Sequence, residues 1–320
     1  MVLALASLKL TPFGLLLLGL SSIAVYKLDQ SATPWLAAPL LLLAVNLISA
    51  VATNGIFRRQ MPLLVFHLAL ITLVLLAAAG RLMYLKGTAE VTEGAGFSGL
   101  KSRDAGPLHL NRIDEVHFVN DGFEINYLPG PVLDRTLNRL RWHDAGGVER
   151  TGDIELNKPL ISRGYRIYPT SNKGFAPVFM WRPTAGAEVL AAVHLPPYPA
   201  NITNQAQSWR PAGSRGDIWV MLNIKEDLIP ADKASNFRLP NEREIVVRVQ
   251  DQRWVMNPGE RIVLPDGTLE YRELRTWMGY RFFHDWTIPW MLAACGVGVL
   301  SLAWHFQRKF ASTPWDAEEK

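Results

Sequence analysis

The chain has 320 residues, of which 49% are hydrophobic and 19% charged, and its mean hydropathy is only +0.07. This mixture excludes a protein buried in the membrane over its whole length and indicates a few spans joined to a sizeable polar domain. The formal charge is +4, but the basic residues are dispersed, which excludes a nucleic-acid-binding patch. The single cysteine, Cys295, excludes an internal disulfide, a CxxC redox pair and a CxxCH haem-attachment motif.

Four apolar runs are long enough to cross a bilayer as helices. The predicted spans lie at about 10–26, 35–56 and 61–80, within a three-helix segment 1–86, and at 285–310, before a short tail 311–320. Between the third and fourth spans lie about two hundred residues, which is enough for a whole domain. The predicted fold is therefore a multi-pass α-helical membrane protein with four transmembrane helices, three before a large external domain and one after it.

Basic residues next to the spans predict the orientation of the chain in the membrane. Five of them fall on one side: Lys9, Arg58, Arg59, Arg308 and Lys309. Short loops rich in lysine and arginine stay in the cytoplasm. We therefore expect both termini, with the tail 311–320, in the cytoplasm and residues 87–284 outside it.

Residues 87–284 are predicted to form a β-rich extracytoplasmic domain. Short runs rich in β-branched and aromatic residues recur at 116–119, 123–128, 164–168, 188–194, 217–222, 244–250 and 269–274. Turn-forming pairs punctuate them: Asp121-Gly122, Pro129-Gly130, Pro258-Gly259 and Asp266-Gly267. An antiparallel sandwich or a pair of packed sheets fits this pattern.

His67 is the ionisable residue inside the third span. An imidazole in hydrocarbon is costly and by default marks a functional site, and imidazole is a common axial ligand of haem iron. The alternative is a neutral imidazole hydrogen bonded to a neighbouring span, with Asn46 as the obvious partner. Both interpretations can hold, because a metal-bound imidazole needs an acceptor for its other nitrogen, and the side-chain oxygen of Asn46 can supply one.

His305, at the cytoplasmic end of the fourth span, is a candidate second ligand of a bis-His haem site. The alternative is an interfacial residue beside Arg308 and Lys309. The remaining histidines outside the spans share no metal-ligand spacing, and no hydrolase, zinc-protease or nucleotide-binding motif is present. No catalytic residue is therefore assigned.

Several contiguous motifs are shared with one known protein family. The most specific is "N.PL…GY.IY", with Asn157, Pro159, Leu160, Gly164, Tyr165, Ile167 and Tyr168. Weaker matches are Gly87 with Val91, Thr92, Glu93 and Gly94, and Phe123 with Ile125, Tyr127 and Gly130. Phe66-His67-Leu68 resembles the membrane histidine of that family, and Asp285 before a Pro289-containing span resembles the start of its last helix. In these motifs the chain resembles the ResB (CcsB) family of cytochrome c biogenesis proteins.

The resemblance implies a subunit of the system II cytochrome c synthase in the bacterial cytoplasmic membrane. Such a subunit helps to move haem b across the membrane and to present it for covalent attachment to the CxxCH thiols of apocytochrome c. His67 would be a transmembrane axial ligand of the haem iron, with the opposite ligand supplied by a CcsA-like multi-span partner. A thioredoxin-like thiol reductant acts in the same pathway, and nucleic acid has no part in it. The chain would then be a non-catalytic or co-catalytic subunit of a cytochrome c haem lyase complex.

Two other functions are open on the residues alone. One is a b-type electron-transfer subunit, in which His67 and His305 hold a permanent haem. The other is a haem-free assembly scaffold, anchored in the membrane, whose external domain grips a partner.

Overall fold

The computed structural model describes residues 5–28, 32–144 and 146–311 of the chain, so the predicted tail lies outside it beyond Ala311. The helices are α1 (Leu10–Leu28), α2 (Ala32–Thr53), the single turn α3 (Ile56–Arg59), α4 (Met61–Met83) and α5 (Ile288–Ala311). All except α3 are long and apolar enough to cross a membrane. This confirms the prediction of four spans, three before and one after a β-rich region.

The second span ends earlier than the sequence suggested, at Thr53 instead of residue 56. Asn54 and Gly55 are poor helix formers. The side-chain oxygen of Asn54 accepts a hydrogen bond from the Ile56 amide at 3.0 Å, a local bond that competes with the helix. The residues that follow form the separate turn α3, which leads directly into α4.

Small residues bring α5 close to α4. Ala294, Gly298 and Ser301 are buried along one face of α5. A Cβ placed on Gly298 would lie 3.6 Å from the Cβ of Ala69 in α4, so the two helices touch at this level. Close approach through small residues drives helix association in lipid, where hydrophobic burial gives little gain. On other faces α4 packs against α2, and α2 against α1.

The C-terminal end of α4 is closed by a segment that follows it in the chain. The last carbonyls of a helix have no partner within the helix. Here the Leu108 amide donates to the carbonyl of Leu82 at 2.9 Å, and Nδ1 of His109 donates to the carbonyl of Met83 at 2.8 Å. Gly106 lies so close to the Leu82 carbonyl that a side chain there would collide with it.

The β-rich region contains fifteen strands among the described residues. Their bounds are β1 (Leu85–Thr92), β2 (Ser102–Ala105), β3 (Phe118–Tyr127), β4 (Leu133–His143), β5 (Glu149–Ile154), β6 (Leu160–Ser162), β7 (Tyr165–Pro183), β8 (Val189–Ala192), β9 (Ala206–Trp209), β10 (Ile218–Ile224), β11 (Ser235–Asn236), β12 (Arg243–Val249), β13 (Gln252–Met256), β14 (Arg261–Leu264) and β15 (Gly267–His284). They form three sheets with orders β2-β1-β15-β7-β6, β13-β12-β10-β9 and β11-β3-β4-β5, and β14 and β8 join the first sheet beside β15 and β7.

The expectation of two sheets fails because β7 and β15 are unusually long, at 19 and 18 residues. Strands of this length contact both smaller sheets at different points along their course. On β15, Tyr280 meets Phe118 of β3 with ring centroids 5.2 Å apart. On β7, Phe179 stacks on Trp209 of β9 at 6.2 Å. Burial of such large aromatic side chains dominates the energy of a core.

The pair Asp121-Gly122 does not form a turn, as the sequence suggested, but lies inside β3. The register of β3 with β4 shifts between Asn120 and Phe123, which marks a β-bulge. Gly122 adopts a φ of +111° there, a conformation that disfavours other residues. Two predicted runs are therefore one strand, whereas Pro129-Gly130 does lie in the loop between β3 and β4. Asp266 lies in the turn between β14 and β15, and Gly267 is the first residue of β15.

A buried amide network holds this bulge. Asn120 and Asn138 are both fully buried. The Asn138 amide donates to the side-chain oxygen of Asn120 and to the carbonyl of Gly122, both at 2.8 Å. Its own oxygen accepts from the hydroxyl of Tyr280 at 2.8 Å, so one side chain joins two sheets.

Asn138→Ala should lower the free energy of unfolding by at least about 2 kcal/mol, because it leaves several buried polar groups without partners. The measurement is chemical unfolding of the full-length protein in detergent, followed by tryptophan fluorescence. Asn204→Ala, at an exposed loop position, is the control and should change stability by less than about 0.5 kcal/mol. Equal stability of the two variants would contradict the role of the network.

Lys173 generates a prediction about pH. Its side chain is buried, and its ammonium lies 5.1 Å from the ring centroid of Tyr127. Burial lowers the pKa of Lys173 to about 8 from its usual value of 10.5. Between these two values the unfolded chain binds more protons than the folded one, so this group makes stability rise with pH across that window.

Lys173→Met should stabilise the protein at pH 7 by about 1–2 kcal/mol, because it removes a buried charge at the cost of a cation–π contact. The advantage of the variant over wild type should shrink as the pH is raised from 7 to 10. Unfolding midpoints at both pH values measure this. Lys233→Met, at an exposed position, should show no such trend, and a parallel pH dependence of wild type and Lys173→Met would contradict it.

Candidate functional site

His67 lies in the second turn of α4, about 9 Å from the start of the helix at 1.5 Å per residue. The side chain is half-buried. It packs against two aromatic rings: Phe57 of α3, at a centroid distance of 4.6 Å, and Phe66, edge to face at 5.4 Å. The short turn α3 therefore lies beside the imidazole. Because the side chain is only half-buried, part of the ring stays accessible.

The hydrogen bond of the His67 ring fixes which nitrogen is available. Nδ1 lies 2.7 Å from the backbone carbonyl oxygen of Leu63, one turn earlier in α4. A carbonyl oxygen only accepts, so Nδ1 carries the proton in this bond. In a neutral imidazole the lone pair is then on Nε2. A metal-binding histidine is oriented in the same way, with its second ring nitrogen held by an acceptor.

Asn46 lies in α2 but makes its hydrogen bonds away from His67. It is 4% exposed, and its side-chain oxygen accepts from the Thr11 hydroxyl at 2.8 Å. Its amide donates to the carbonyls of Leu5 and Ser7, at 2.7 and 3.1 Å. The supporting acceptor that the sequence suggested at Asn46 is therefore replaced by the carbonyl of Leu63, while Asn46 ties α2 to the start of α1.

His305 lies on α5 four residues after Ser301, so it continues the face that α5 turns towards α4. It lines a cavity of about 450 Å³ between the ends of these helices, which we call the basic pocket. The residues around it are Arg59, Gln60, Pro62, His305, Arg308 and Lys309. His305 thus lies beside Arg308 and Lys309. Both the interfacial interpretation and the ligand role of His305 stay predictions.

The chemistry of the donor set suits haem better than a bare metal ion. Within the described residues, no three His, Cys, Asp or Glu side chains are grouped so as to hold an ion. Haem iron receives four nitrogens from the porphyrin and needs only one or two axial ligands from protein. The imidazole of His67, with Nε2 available and aromatic rings at its side, fits that requirement.

A histidine network in the β-rich region was not visible in the sequence. Nε2 of His194 lies 2.8 Å from the Thr92 hydroxyl, and Nδ1 lies 3.2 Å from the Glu90 carboxylate. Burial alone would raise the pKa of Glu90, but hydrogen bonds from His194 and Lys101 hold it below its usual value. The partners are about a hundred residues apart in the chain, so no local motif could reveal them. Thr92 is 6% exposed, and we assign the network to holding β1 in place.

Two histidines also meet at the other end of α4. His109, which caps that helix, has its ring centroid 5.2 Å from that of His284, at the end of β15. No local sequence pattern pairs them, because 175 positions separate them. The sequence near His109 also does not reveal its role. A capping side chain that comes from a later segment has no fixed spacing in sequence from the helix end it binds.

Asn46→Ala should destabilise the helical region by about 1–2 kcal/mol, because it removes three hydrogen bonds to the start of α1. Thermal unfolding in detergent measures this. Thr72→Ala is the matched control, since among the described residues the Thr72 hydroxyl bonds only to its own helix, at the Leu68 carbonyl. If Asn46→Ala proved as stable as Thr72→Ala, the three hydrogen bonds of Asn46 would make no net contribution to stability.

Comparison with known proteins identifies a family for the chain. No curated protein sequence matches the chain significantly. A model of the ResB-like family matches residues 43–309, which include α4 with His67, the whole β-rich region and most of α5. This match covers well over half of the chain. The protein is a membrane protein that belongs to the ResB-like family, a family of cytochrome c biogenesis.

Proposed function

We propose that this protein is the haem-handling subunit of a system II cytochrome c synthase in the bacterial cytoplasmic membrane. It helps to move haem b across the membrane and to present it for attachment to apocytochrome c. Its partner is a CcsA-like multi-span protein that supplies the opposite axial ligand. A thioredoxin-like reductant keeps the apocytochrome thiols ready for the bond-making step.

One observation carries this proposal: the carbonyl of Leu63 holds Nδ1 of His67 and leaves Nε2 as the electron-pair donor. Haem supplies the iron that this nitrogen would bind and the vinyl groups to which cytochrome thiols are joined. The chain itself orients the imidazole and shields one side of it with Phe57. The ring is half-buried, so part of the imidazole is exposed and would be accessible to haem.

The distribution of charge supports the proposed orientation. The N-terminal end of α4 and the C-terminal end of α5 lie together, as the basic pocket shows, and carry Arg59, Arg308 and Lys309. Basic residues favour the cytoplasmic side. We therefore place both termini in the cytoplasm, the β-rich region outside, and His67 in the cytoplasmic half of the bilayer, where haem is collected.

His67→Ala should abolish the haem spectrum of the complex formed with the CcsA-like partner and reduce the yield of matured cytochrome c at least about tenfold, because the axial bond is lost. Optical spectra of the purified complex and haem staining of cell extracts measure the two quantities. His143→Ala, an exposed histidine on β4, is the control and should leave both unchanged. Wild-type haem content and cytochrome yield in His67→Ala would refute the proposal.

The same two measurements, made also on the lone chain and on His305→Ala, separate the two other functions. A b-type electron-transfer subunit would hold haem as a lone chain and lose it equally in His67→Ala and His305→Ala. A haem-free scaffold would give a colourless complex that still supports cytochrome c maturation after His67→Ala. The position of His305 among cationic side chains favours neither of these over the proposed function.

A further inference from the structure

A second cavity, of about 590 Å³, lies beside strand β10 in the β-rich region. We call it the edge pocket, and the residues around it include Tyr198, Ile202, Gln205, Ile224 and Asp227. Its volume falls within the range of about 300–1,000 Å³ that is usual for ligand sites. None of these residues has a part in the proposed haem site.

The edge pocket lies where β9 ends beside β10. The Leu222 amide of β10 donates to the Gln205 carbonyl at 2.9 Å, one residue beyond the last pair of the ladder. Before Gln205 the chain turns away, over residues 198–203. Strand β10 continues to Ile224 and so extends past its neighbour.

The backbone of Ile224 faces this open side. In an antiparallel sheet, successive residues of a strand hydrogen bond alternately to its two neighbours. The Lys225 amide donates to the Glu242 carbonyl, on the β12 side, at 2.9 Å, whereas Leu222 bonds on the β9 side. Ile224 is in phase with Leu222, so its amide and carbonyl point to the pocket, where no described residue bonds to them. An open strand edge of this kind is a template for pairing with another chain.

A buried amide oxygen at the same place has no partner. Gln205 is 4% exposed. Its Nε2 donates to the carbonyls of Asn201 and Pro196, at 2.8 and 3.1 Å, and these two acceptors fix the orientation of the amide. Oε1 is left without a hydrogen bond from any residue that the structure describes. A buried acceptor without a partner is destabilising, so a ligand that donates to it is favoured.

The edge pocket also carries negative charge. Two of the charged side chains around it are already balanced, since Lys225 pairs with Glu244 and Glu226 with Arg238. The carboxylate of Asp227 forms no ion pair within the described part of the chain. The pocket therefore offers a charge that favours a cation.

An organic cation fits this set of groups better than a metal ion. No three His, Cys, Asp or Glu side chains are grouped to hold an ion within residues 5–28, 32–144 and 146–311. A guanidinium or ammonium group brings positive charge together with several N–H donors. A peptide backbone brings the donors and acceptors that an open strand edge can pair with, and peptides bind many proteins by adding a strand in this way.

We propose that the edge pocket binds an extended segment of another polypeptide that carries an arginine or a lysine. The backbone of the segment pairs with β10 at Ile224, in the place that β9 leaves open. Its basic side chain pairs with Asp227, and one of its N–H groups donates to Oε1 of Gln205. Strand pairing supplies affinity for an extended chain, and the carboxylate selects the basic residue.

The probe is a short peptide, blocked at both ends, with one arginine between threonine and valine residues. Its affinity for the full chain in a neutral detergent is measured by isothermal titration calorimetry. Wild type should bind it at least about threefold more tightly than the peptide in which citrulline, a neutral isostere, replaces arginine. A third peptide, methylated on its backbone nitrogens, keeps the charge but cannot pair as a strand. It should bind at least about threefold more weakly than the unmodified peptide.

Asp227→Asn removes the charge and keeps the side-chain oxygen that accepts from the Ile229 amide at 3.1 Å, so the local fold is preserved. This variant should bind the arginine and citrulline peptides with similar affinity, while the methylated peptide stays weaker. Asp232→Asn is the matched control, since Asp232 is an exposed aspartate that does not line the pocket. It should keep the wild-type preference for arginine.

Equal affinity of wild type for the arginine and citrulline peptides would overturn the proposal, and so would a preference for arginine that survives in Asp227→Asn. Undiminished binding of the methylated peptide would overturn it as well, because β10 would not be pairing with the segment. Absence of any peptide binding would have the same meaning, and calcium binding that is lost in Asp227→Asn would then mark a cation site instead. The peptide site and the haem ligand have separate readouts, so failure here leaves the proposed function standing.

Discussion

A single backbone carbonyl decides what the imidazole of His67 can do. By accepting from Nδ1, the carbonyl of Leu63 satisfies one polar atom in an apolar span and leaves the lone pair of the neutral ring on Nε2. The acceptor belongs to the same helix, one turn earlier. The arrangement therefore needs no polar residue from a neighbouring helix, and Asn46 is left to join α2 to the start of α1.

The two ends of α4 have different surroundings. At its C-terminal end the Leu108 amide and the His109 ring close the last carbonyls, and Gly106 allows their close approach. At its N-terminal end, by contrast, positive charge is gathered around a cavity.

The β-rich region is organised by two long strands. Because β7 and β15 extend over 19 and 18 residues, each contributes to the core in more than one place. Asn138 holds the bulge at Gly122 by donating to the Gly122 carbonyl. Its side-chain oxygen also accepts a hydrogen bond from Tyr280 of β15, so the same residue connects two sheets. Polar groups buried in this way are favourable only when they are satisfied, which explains why the network involves both asparagines.

The sequence alone determined the number of spans and the β-rich character of the region between the third and fourth, and it singled out His67 as a candidate ligand. Each of these depends on local properties: length of an apolar run, alternation along a strand, or one ionisable residue among apolar neighbours. The family resemblance also came from short motifs that are contiguous in the chain. By contrast, Asp121-Gly122 has the composition of a turn, and only pairing with β4 across the bulge shows that the strand continues through it.

Only the tertiary structure decided which residues surround each other. The hydrogen-bond partners of Asn46, the pairing of His194 with Glu90 and Thr92, and the convergence of Arg59 with Arg308 join segments that are 35 to about 250 residues apart. Such contacts follow from how helices pack and how strands are ordered in sheets, which no window of sequence contains. His67 was therefore identifiable as a candidate from the sequence, but the residues around it were decided by packing.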